Sequence, residues 1–273
     1  MIPFRTVGQV FDAIGLVKAG ASALVTNFFP EQRKLQTWID REQLFGICSA
    51  NAVFFFQRDT DFWHLYFCAA SEEALKNNLT TTHDWMQEAV TVDLVGSEAA
   101  LKGTLTLLES AGFRQYRQLQ RMTRSAQSDP VLPAKDLPAV FADADDLPAI
   151  RDLIFFSFDR YAEQLPLLDE IGTAVTNRQI LVVKKDGLLA GLLFFQTQGF
   201  TSTVRFWLVA EPFRAFGIGS ALMRHYFATQ TSARRFLLWV VATNENAVQK
   251  YRHYGFAPDG LIDHVLVNEK IPA

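Results

Sequence analysis

Cysteine is nearly missing from this 273-residue chain; there are two, Cys48 and Cys68. Two thiols make neither a disulfide framework nor a metal spacing, and both fall in strand-like runs, so two buried, reduced thiols are expected. The five histidines, His64, His83, His225, His253 and His264, show no ligand spacing, so no metal is expected. An excess of one charge is also missing. A formal net charge of −3 and the lack of a basic run exclude nucleic-acid binding by bulk electrostatics. No apolar run is long enough for a membrane. Val7 to Val25 is interrupted by Asp12 and Lys18 and fits neither a span nor a signal-peptide core. The expectation is a cytoplasmic protein without membrane or nucleic-acid partners. Two phosphate-binding motifs are absent too. There is no Gly-x-x-x-x-Gly-Lys-Ser/Thr, and Gly217-Ile-Gly219 lacks the third glycine of the dinucleotide fingerprint.

What is present describes a core-rich globular chain: 49% hydrophobic residues, 20% charged, and 24 phenylalanines that imply large aromatic cores. The length suits two ordinary domains or one large one. In the first half, helical spacing covers Val7 to about Ala23 and Glu31 to Arg41, with a break at Asn27 to Pro30. Leu44 to Cys48, Ala52 to Gln57 and Phe62 to Ala69 read as an antiparallel meander. A helix from Ser71, a strand from Ala89 to Val95, a helix from Ala99 to Ser110 ending at Gly112, and a strand from Tyr116 to Thr123 follow. Ser125 to Pro138, with three prolines, reads as a linker.

The second half begins with a strand at Ala139 to Ala142 and a helix from Ala149 to Phe158, then a loop or short helix from Tyr161 to Asn177. Ile180 to Lys184 and Leu188 to Gln196 form a hairpin around Lys185-Asp186-Gly187. Phe206 to Val209 is a short strand that Pro212 ends. Arg214, Gly217 and Gly219 then lead into a helix from Ser220 to Thr229. Strand, glycine turn and helix aim free N–H groups and the positive end of a helix dipole at one point, a place for a phosphate or pyrophosphate. A strand from Phe236 to Val241, a helix from Glu245 to Tyr254 and a strand from Asp263 to Val267 complete the order.

Arg214-x-x-Gly217-x-Gly219 resembles the pyrophosphate motif of the GNAT acetyltransferase superfamily, and Asn244-x-x-Ala247-x-x-x-Tyr251-x-x-x-Gly255-Phe256 is similar to that family's next helix pattern. The resemblance covers roughly Val140 to Lys270. It implies an α/β (α+β) fold, with a mixed, mostly antiparallel sheet flanked by helices, and acetyl transfer from acetyl-CoA to an amine in a ternary complex. It places the pantetheine arm on the backbone at Leu208 and Val209, and the pyrophosphate on the amides of Arg214, Ala215, Phe216, Gly217, Ile218, Gly219 and Ser220. Asn244 would contact the cofactor arm, and Tyr251 would protonate the departing thiolate. The acceptor, a small-molecule or peptide amine, would meet Phe156, Phe158, Asp159, Tyr161, Glu163, Asp169 and Glu170. No general base is assigned, because Arg205, Phe206, Trp207 and Leu208 occupy the strand where many members carry Glu, and Glu211 lies beyond it.

Gly112-Phe113 echoes Gly255-Phe256, which makes residues 1–125 a degenerate GNAT-like copy, 126–138 a linker and 139–273 the acetyltransferase domain, in a monomer or homodimer. Position 107 carries Leu where the second copy has Tyr251, and no Arg-x-x-Gly-x-Gly precedes Arg124, so the first copy is not expected to bind the cofactor. An unrelated α+β domain is the other reading of that half. A catalytically inactive binding or regulatory module is the alternative function. Aminoacyl transfer from tRNA is disfavoured by the CoA-type turn and the lack of a basic stretch.

Overall fold

The computed structural model describes residues 1–81, 87–126 and 139–271. His83 and residues 127–138 of the expected linker lie outside them. In chain order the elements are β1 (Ile2–Pro3), α1 (Val7–Ala19), β2 (Val25–Thr26), α2 (Gln32–Asp40), β3 (Leu44–Cys48), β4 (Ala52–Arg58), β5 (Trp63–Ala69), α3 (Glu72–Thr81), β6 (Val90–Gly96), α4 (Glu98–Ser110) and β7 (Arg114–Ser125). There follow β8 (Val140–Phe141), α5 (Leu147–Ser157), α6 (Leu168–Thr176), β9 (Ile180–Lys185), β10 (Leu188–Gln198), β11 (Thr201–Val209), α7 (Ile218–Thr229), β12 (Arg235–Val241), α8 (Glu245–His253) and β13 (Ala257–Val267). The chain divides into two compact units, Met1–Leu119 with Leu261–Ala273, and Gln120–Gly260.

In the first unit the strand order is β1-β3-β4-β5-β6-β13. Its central strands carry unbroken apolar runs, Ala52 to Phe56 and Leu65 to Ala69, because both faces of the sheet are covered. Phe54, Phe55, Phe56 and Phe67 are almost fully buried, each worth about 2–3 kcal/mol of transfer free energy. Thr6 and Gln9 form a capping box at the start of α1, which buries Val10, Ile14 and Val17. The β4–β5 ladder runs from Ala52↔Ala69 to Arg58↔Trp63 without a shift. The parallel pairing of β5 with β6 holds only at Trp63↔Val90 and His64↔Thr91. Beyond that point β5 finds another partner, which the sequence did not suggest: β2 pairs with it at Val25↔Ala69 and Thr26↔Cys68. The expected break at Asn27 to Pro30 therefore follows a short strand. Cys68 is buried, but Cys48, at the end of β3, is exposed, against the expectation for both.

In the second unit the order is β12-β11-β10-β9-β8. Asp143 and Asp146 cap the turn before α5, and Asp146 also holds Lys184 of β9 at 2.7 Å. The β9–β10 hairpin turns through Asp186 and Gly187, with φ of 54° and 78°, as its tight turn demands. β11 is nine residues long rather than four. Its first half alternates Thr201, Thr203 and Arg205 with buried Ser202, Val204 and Phe206, a half-exposed pattern that an apolar run does not reveal. β13 starts at Ala257, earlier than expected, because Pro258-Asp-Gly260 continues as strand instead of turning.

The Gly-Phe echo holds in three dimensions, with one correction. Phe113 N donates to Leu108 O at 3.1 Å, and Phe256 N donates to Tyr251 O at 3.1 Å. Both glycines are left-handed, Gly112 at φ 94° and Gly255 at φ 80°. The counterpart of Tyr251 is therefore buried Leu108, not Leu107.

Candidate functional site

The strand β11 pairs with β12 in parallel over four residues, Thr201↔Arg235 to Val204↔Leu238, and then the two diverge. The cause sits at the next residue. On its other side β11 is antiparallel to β10, and the register jumps from Phe195↔Val204 to Phe194↔Phe206. Arg205 is the extra residue of a β-bulge, a device that bends a strand and strengthens its twist. From Phe206 to Val209 the strand keeps β10 on one side and, among the described residues, has no ladder partner on the other. Leu208 and Val209 lie there, paired with Leu192 and Gly191 of β10. Their position is that of an edge able to take an extended chain.

The turn after this edge is exposed from Glu211 to Gly217, apart from half-buried Phe213. Ala215 has φ 79° and Gly217 φ 74°. Glycine accepts such a conformation freely, whereas alanine holds it at a cost of about 1 kcal/mol, and strain of this kind gathers at binding turns. Gly217 caps α7 without a side-chain hydrogen bond, and the first turn of α7 carries no acid. The N–H groups of Ile218, Gly219 and Ser220 and the positive helix end stay available to an anion. Arg214 is exposed, 4.0 Å from Glu211, itself exposed. Lys185 adds a second cation, its ammonium 4.9 Å from the centroid of the exposed Phe216 ring. Lys185 was not singled out in the sequence, where it reads only as a hairpin residue.

Gly219 has a packing role as well. A Cβ there would stand 3.2 Å from Trp207 Cζ2, and Trp207 Nε1 donates to Gly219 O at 3.2 Å. Trp207 thus clamps β11 to the first turn of α7. Its indole also meets Tyr251 of α8, with ring centroids 5.3 Å apart. Tyr251 is buried, and burial first, then the charge of Glu163, push its phenol pKa up, so it keeps its proton. Tyr254, one turn on, gives its hydroxyl to Ser220 Oγ at 2.9 Å. Asn244 sits exposed at the start of α8, and its Oδ1 accepts from Ala247 N at 3.1 Å. Its spacing to Ala247 is therefore explained by helix capping.

The residues expected at the acceptor side separate. Phe156, Asp169 and Glu170 are exposed on α5 and α6, and Glu170 accepts from the Leu167 amide at 2.8 Å. Phe158 packs edge-on against Phe206 of β11 at 4.9 Å. Asp159, Tyr161 and Glu163 form a half-buried turn between α5 and α6. Arg205, the bulge residue, reaches this turn and donates to Gln164 O at 3.1 Å and to Gln196 Oε1 at 3.1 Å. Among the described residues no three His, Cys, Asp or Glu side chains gather as a metal site requires. None of the described helices is long and apolar enough to cross a membrane.

The family model for the acetyltransferase (GNAT) family matches residues 147–256, the stretch that holds the bulged strand, the turn and Tyr251. No curated protein matches the sequence. Solved structures match over the whole chain. A GCN5-related N-acetyltransferase from Sphaerobacter thermophilus is similar at 17% identity and TM-score 0.64, covering 100% of this chain and 98% of its own. A tandem GNAT protein from the clavulanic acid biosynthesis pathway is similar at 12% identity and TM-score 0.63, with the same coverage. A GNAT-family acetyltransferase structure from Novosphingobium aromaticivorans is similar at 18% identity and TM-score 0.52, over 84% of this chain and 92% of its own. At these identities the likeness is one of fold, and it extends over both halves. Residues 147–256 are a domain of the acetyltransferase (GNAT) family, carried in a chain with the fold of a tandem GNAT protein.

Proposed function

We propose that the second unit transfers an acetyl group from acetyl-CoA to an amine on a small molecule or peptide, by direct attack in a ternary complex, in the cytoplasm. The observation that carries this reading is the unpaired edge of β11 from Phe206 to Val209, which runs straight into a turn with two left-handed residues and an acid-free helix start. The edge suits the amide-bearing pantetheine arm, by the hydrogen bonds a further strand would make. The turn suits the pyrophosphate, with Arg214 and Lys185 supplying positive charge. Leu208 and Val209 would bind the arm through their backbone, and Arg214, Ala215, Phe216, Gly217, Ile218, Gly219 and Ser220 the phosphates. Asn244 would reach the arm with its amide nitrogen, since its oxygen caps α8.

Tyr251 would act as the acid. A phenol that carries its proton at neutral pH can give a hydrogen bond, and then the proton, to the departing thiolate while the nitrogen proton replaces it. The thioester needs little activation, so most of the rate would come from holding amine and carbonyl in line. The first unit would bind no cofactor. The test is amine-dependent release of free thiol from acetyl-CoA, with the acylated amine identified by mass spectrometry. Thiol release that requires both acetyl-CoA and an amine supports the reading. A protein that binds acetyl-CoA but transfers to no primary amine sends the weight to a regulatory module.

A further inference from the structure

The turn between α5 and α6 holds a carboxylate that the proposed function has not used. The turn is tight: the amides of Ala162 and Glu163 both donate to Asp159 O, at 3.2 and 2.8 Å, and the Tyr161 amide donates to Asp159 Oδ1 at 3.0 Å. Ala162 is buried, which holds the turn against the body of the unit. Next to it, Glu163 Oε2 is buried with no hydrogen-bond partner among the described residues. A carboxylate oxygen kept from water without a donor works against folding, and groups so placed recur where a proton must be moved. The neighbouring residue, Gln164, is fastened through its carbonyl to the guanidinium of Arg205. The same bulge that opens the β11 edge therefore also fixes the turn that carries Glu163.

The charged and titratable groups around Glu163 come from three directions. Asp159 lies on its own turn, Tyr251 of α8 is within electrostatic reach, and Arg205 of β11 bonds the next residue, Gln164, with Glu170 of α6 acting on Arg205. Burial first, and then the negative charge of Asp159, push the Glu163 carboxyl up to about 7, against the pull of its hydrogen bond to the Asp159 backbone. In turn Glu163 helps to hold the proton on Tyr251. Glu163 and Tyr251 are within electrostatic reach of each other, and Tyr251 packs against Trp207 of β11.

Resting on the acetyl-transfer reading, we propose that Glu163 is the general base that takes a proton from the acceptor's ammonium group, opposite Tyr251 as general acid. The ammonium gives one proton to the Glu163 carboxylate, and the freed nitrogen lone pair forms the C–N bond at the thioester carbonyl. The tetrahedral adduct collapses with cleavage of the C–S bond, and the thiolate takes the phenol proton of Tyr251. The second nitrogen proton passes to the Tyr251 oxygen, and Glu163 releases its proton to solvent. The sum is an amide, a free thiol and one proton. Arg205 is a positioning residue in this scheme.

The test compares wild type with Glu163→Gln by calorimetry with acetyl-CoA, and by thiol release with a panel of primary amines across about pH 5.5 to 9. The expected result is unchanged acetyl-CoA affinity, a loss of at least about 100-fold in kcat, and disappearance of an acidic limb with a midpoint near 7. Equal rates with the same limb would overturn the proposal and leave the acetyl-transfer reading intact. Failure of the wild type to bind acetyl-CoA would sink that reading, and this proposal with it. Where no amine in the panel is acetylated, the acetyl-transfer reading and this proposal fall together; where one is, carbon-13 NMR of carboxyl-labelled glutamate adds a second readout. A signal missing from Glu163→Gln that titrates near pH 7 supports the base, and one titrating below about pH 5 excludes it.

Discussion

The two halves of this chain solve the same geometric problem in opposite ways. In each, a parallel strand pair diverges, leaving the outer part of one strand without its neighbour. In the first unit the pairing ends at His64↔Thr91, and the chain fills the gap itself. β2 pairs with the outer part of β5, and Asn27 ties both strands, donating to Leu65 O and Asp93 O at 3.1 Å and accepting from Phe67 N at 2.7 Å. In the second unit no described strand pairs with the equivalent edge of β11, and the segment between α5 and α6 is a turn instead of a strand.

The strand-to-helix connection differs in the same sense. β5 reaches α3 through Ala70 and Ser71, Ser71 Oγ accepts from Ala74 N at 3.1 Å, and Glu72 and Glu73 occupy the first turn. Those carboxylates complement the helix dipole and would repel a pyrophosphate. Eight residues join β11 to α7, with Ala215 and Gly217 left-handed and no acid at the helix start. The β4–β5 ladder has no bulge, whereas β10–β11 has one at Arg205. The chain of the first unit thus supplies contacts that the second unit leaves open, and each difference is local.

The largest expected effect breaks the self-filled gap. Asn27→Ala leaves the Leu65 and Asp93 carbonyls and the Phe67 amide without their partner, and should cost about 3 kcal/mol in urea unfolding. A cost near zero would mean that Asn27 does not hold the strands together.

The second effect is pH-dependent and belongs to the other unit. The folded state raises the Glu163 carboxyl from the usual 4.5 to about 7, so folding favours its protonated form. Its contribution to stability is full below about pH 4.5 and is lost as pH rises through about 7. Glu163→Gln should therefore raise stability by about 1–3 kcal/mol at about pH 8, the upper figure reduced by partial solvation, and leave it unchanged near pH 4.5. Thermal melts at the two pH values check this, and a gain equal at both would contradict it.

Arg214→Glu, on an exposed side chain, should weaken acetyl-CoA by about 30-fold, while Glu72→Arg should create no second site. Tyr251→Phe should lower kcat by about 10-fold or more with cofactor affinity unchanged. Equal turnover would remove the phenol from the chemistry. Gly219→Ala, pressing on Trp207 at 3.2 Å, should cost about 1 kcal/mol and shift affinity least.

The sequence made some of this legible and hid the rest for physical reasons. Gly217 and Gly219 could be read because a left-handed helix cap and a close approach to Trp207 admit few residue types. Asn244, Tyr251 and Gly255 could be read because a helix fixes their spacing. β2 could not, since two residues carry no period and only the outer part of β5 makes them a strand. The bulge at Arg205 exists only in the register between two strands, which no single segment encodes. Glu163 was visible as an acid near the acceptor side, but its burial is set by Ala162 and by the Arg205–Gln164 bond, both tertiary. The Tyr251 counterpart was misplaced by one residue, because only the backbone bond of Phe113 to Leu108 fixes the alignment of the two helix ends.

The second half is proposed to bind the acyl donor, and the first half to fill the corresponding gap with its own chain. Calorimetric titration of the full chain with acetyl-CoA, with Arg214→Glu as control, tests this most directly. The account predicts one saturable site per chain, weakened about 30-fold in the variant. Two sites per chain, or one whose affinity the variant leaves unchanged, would contradict it.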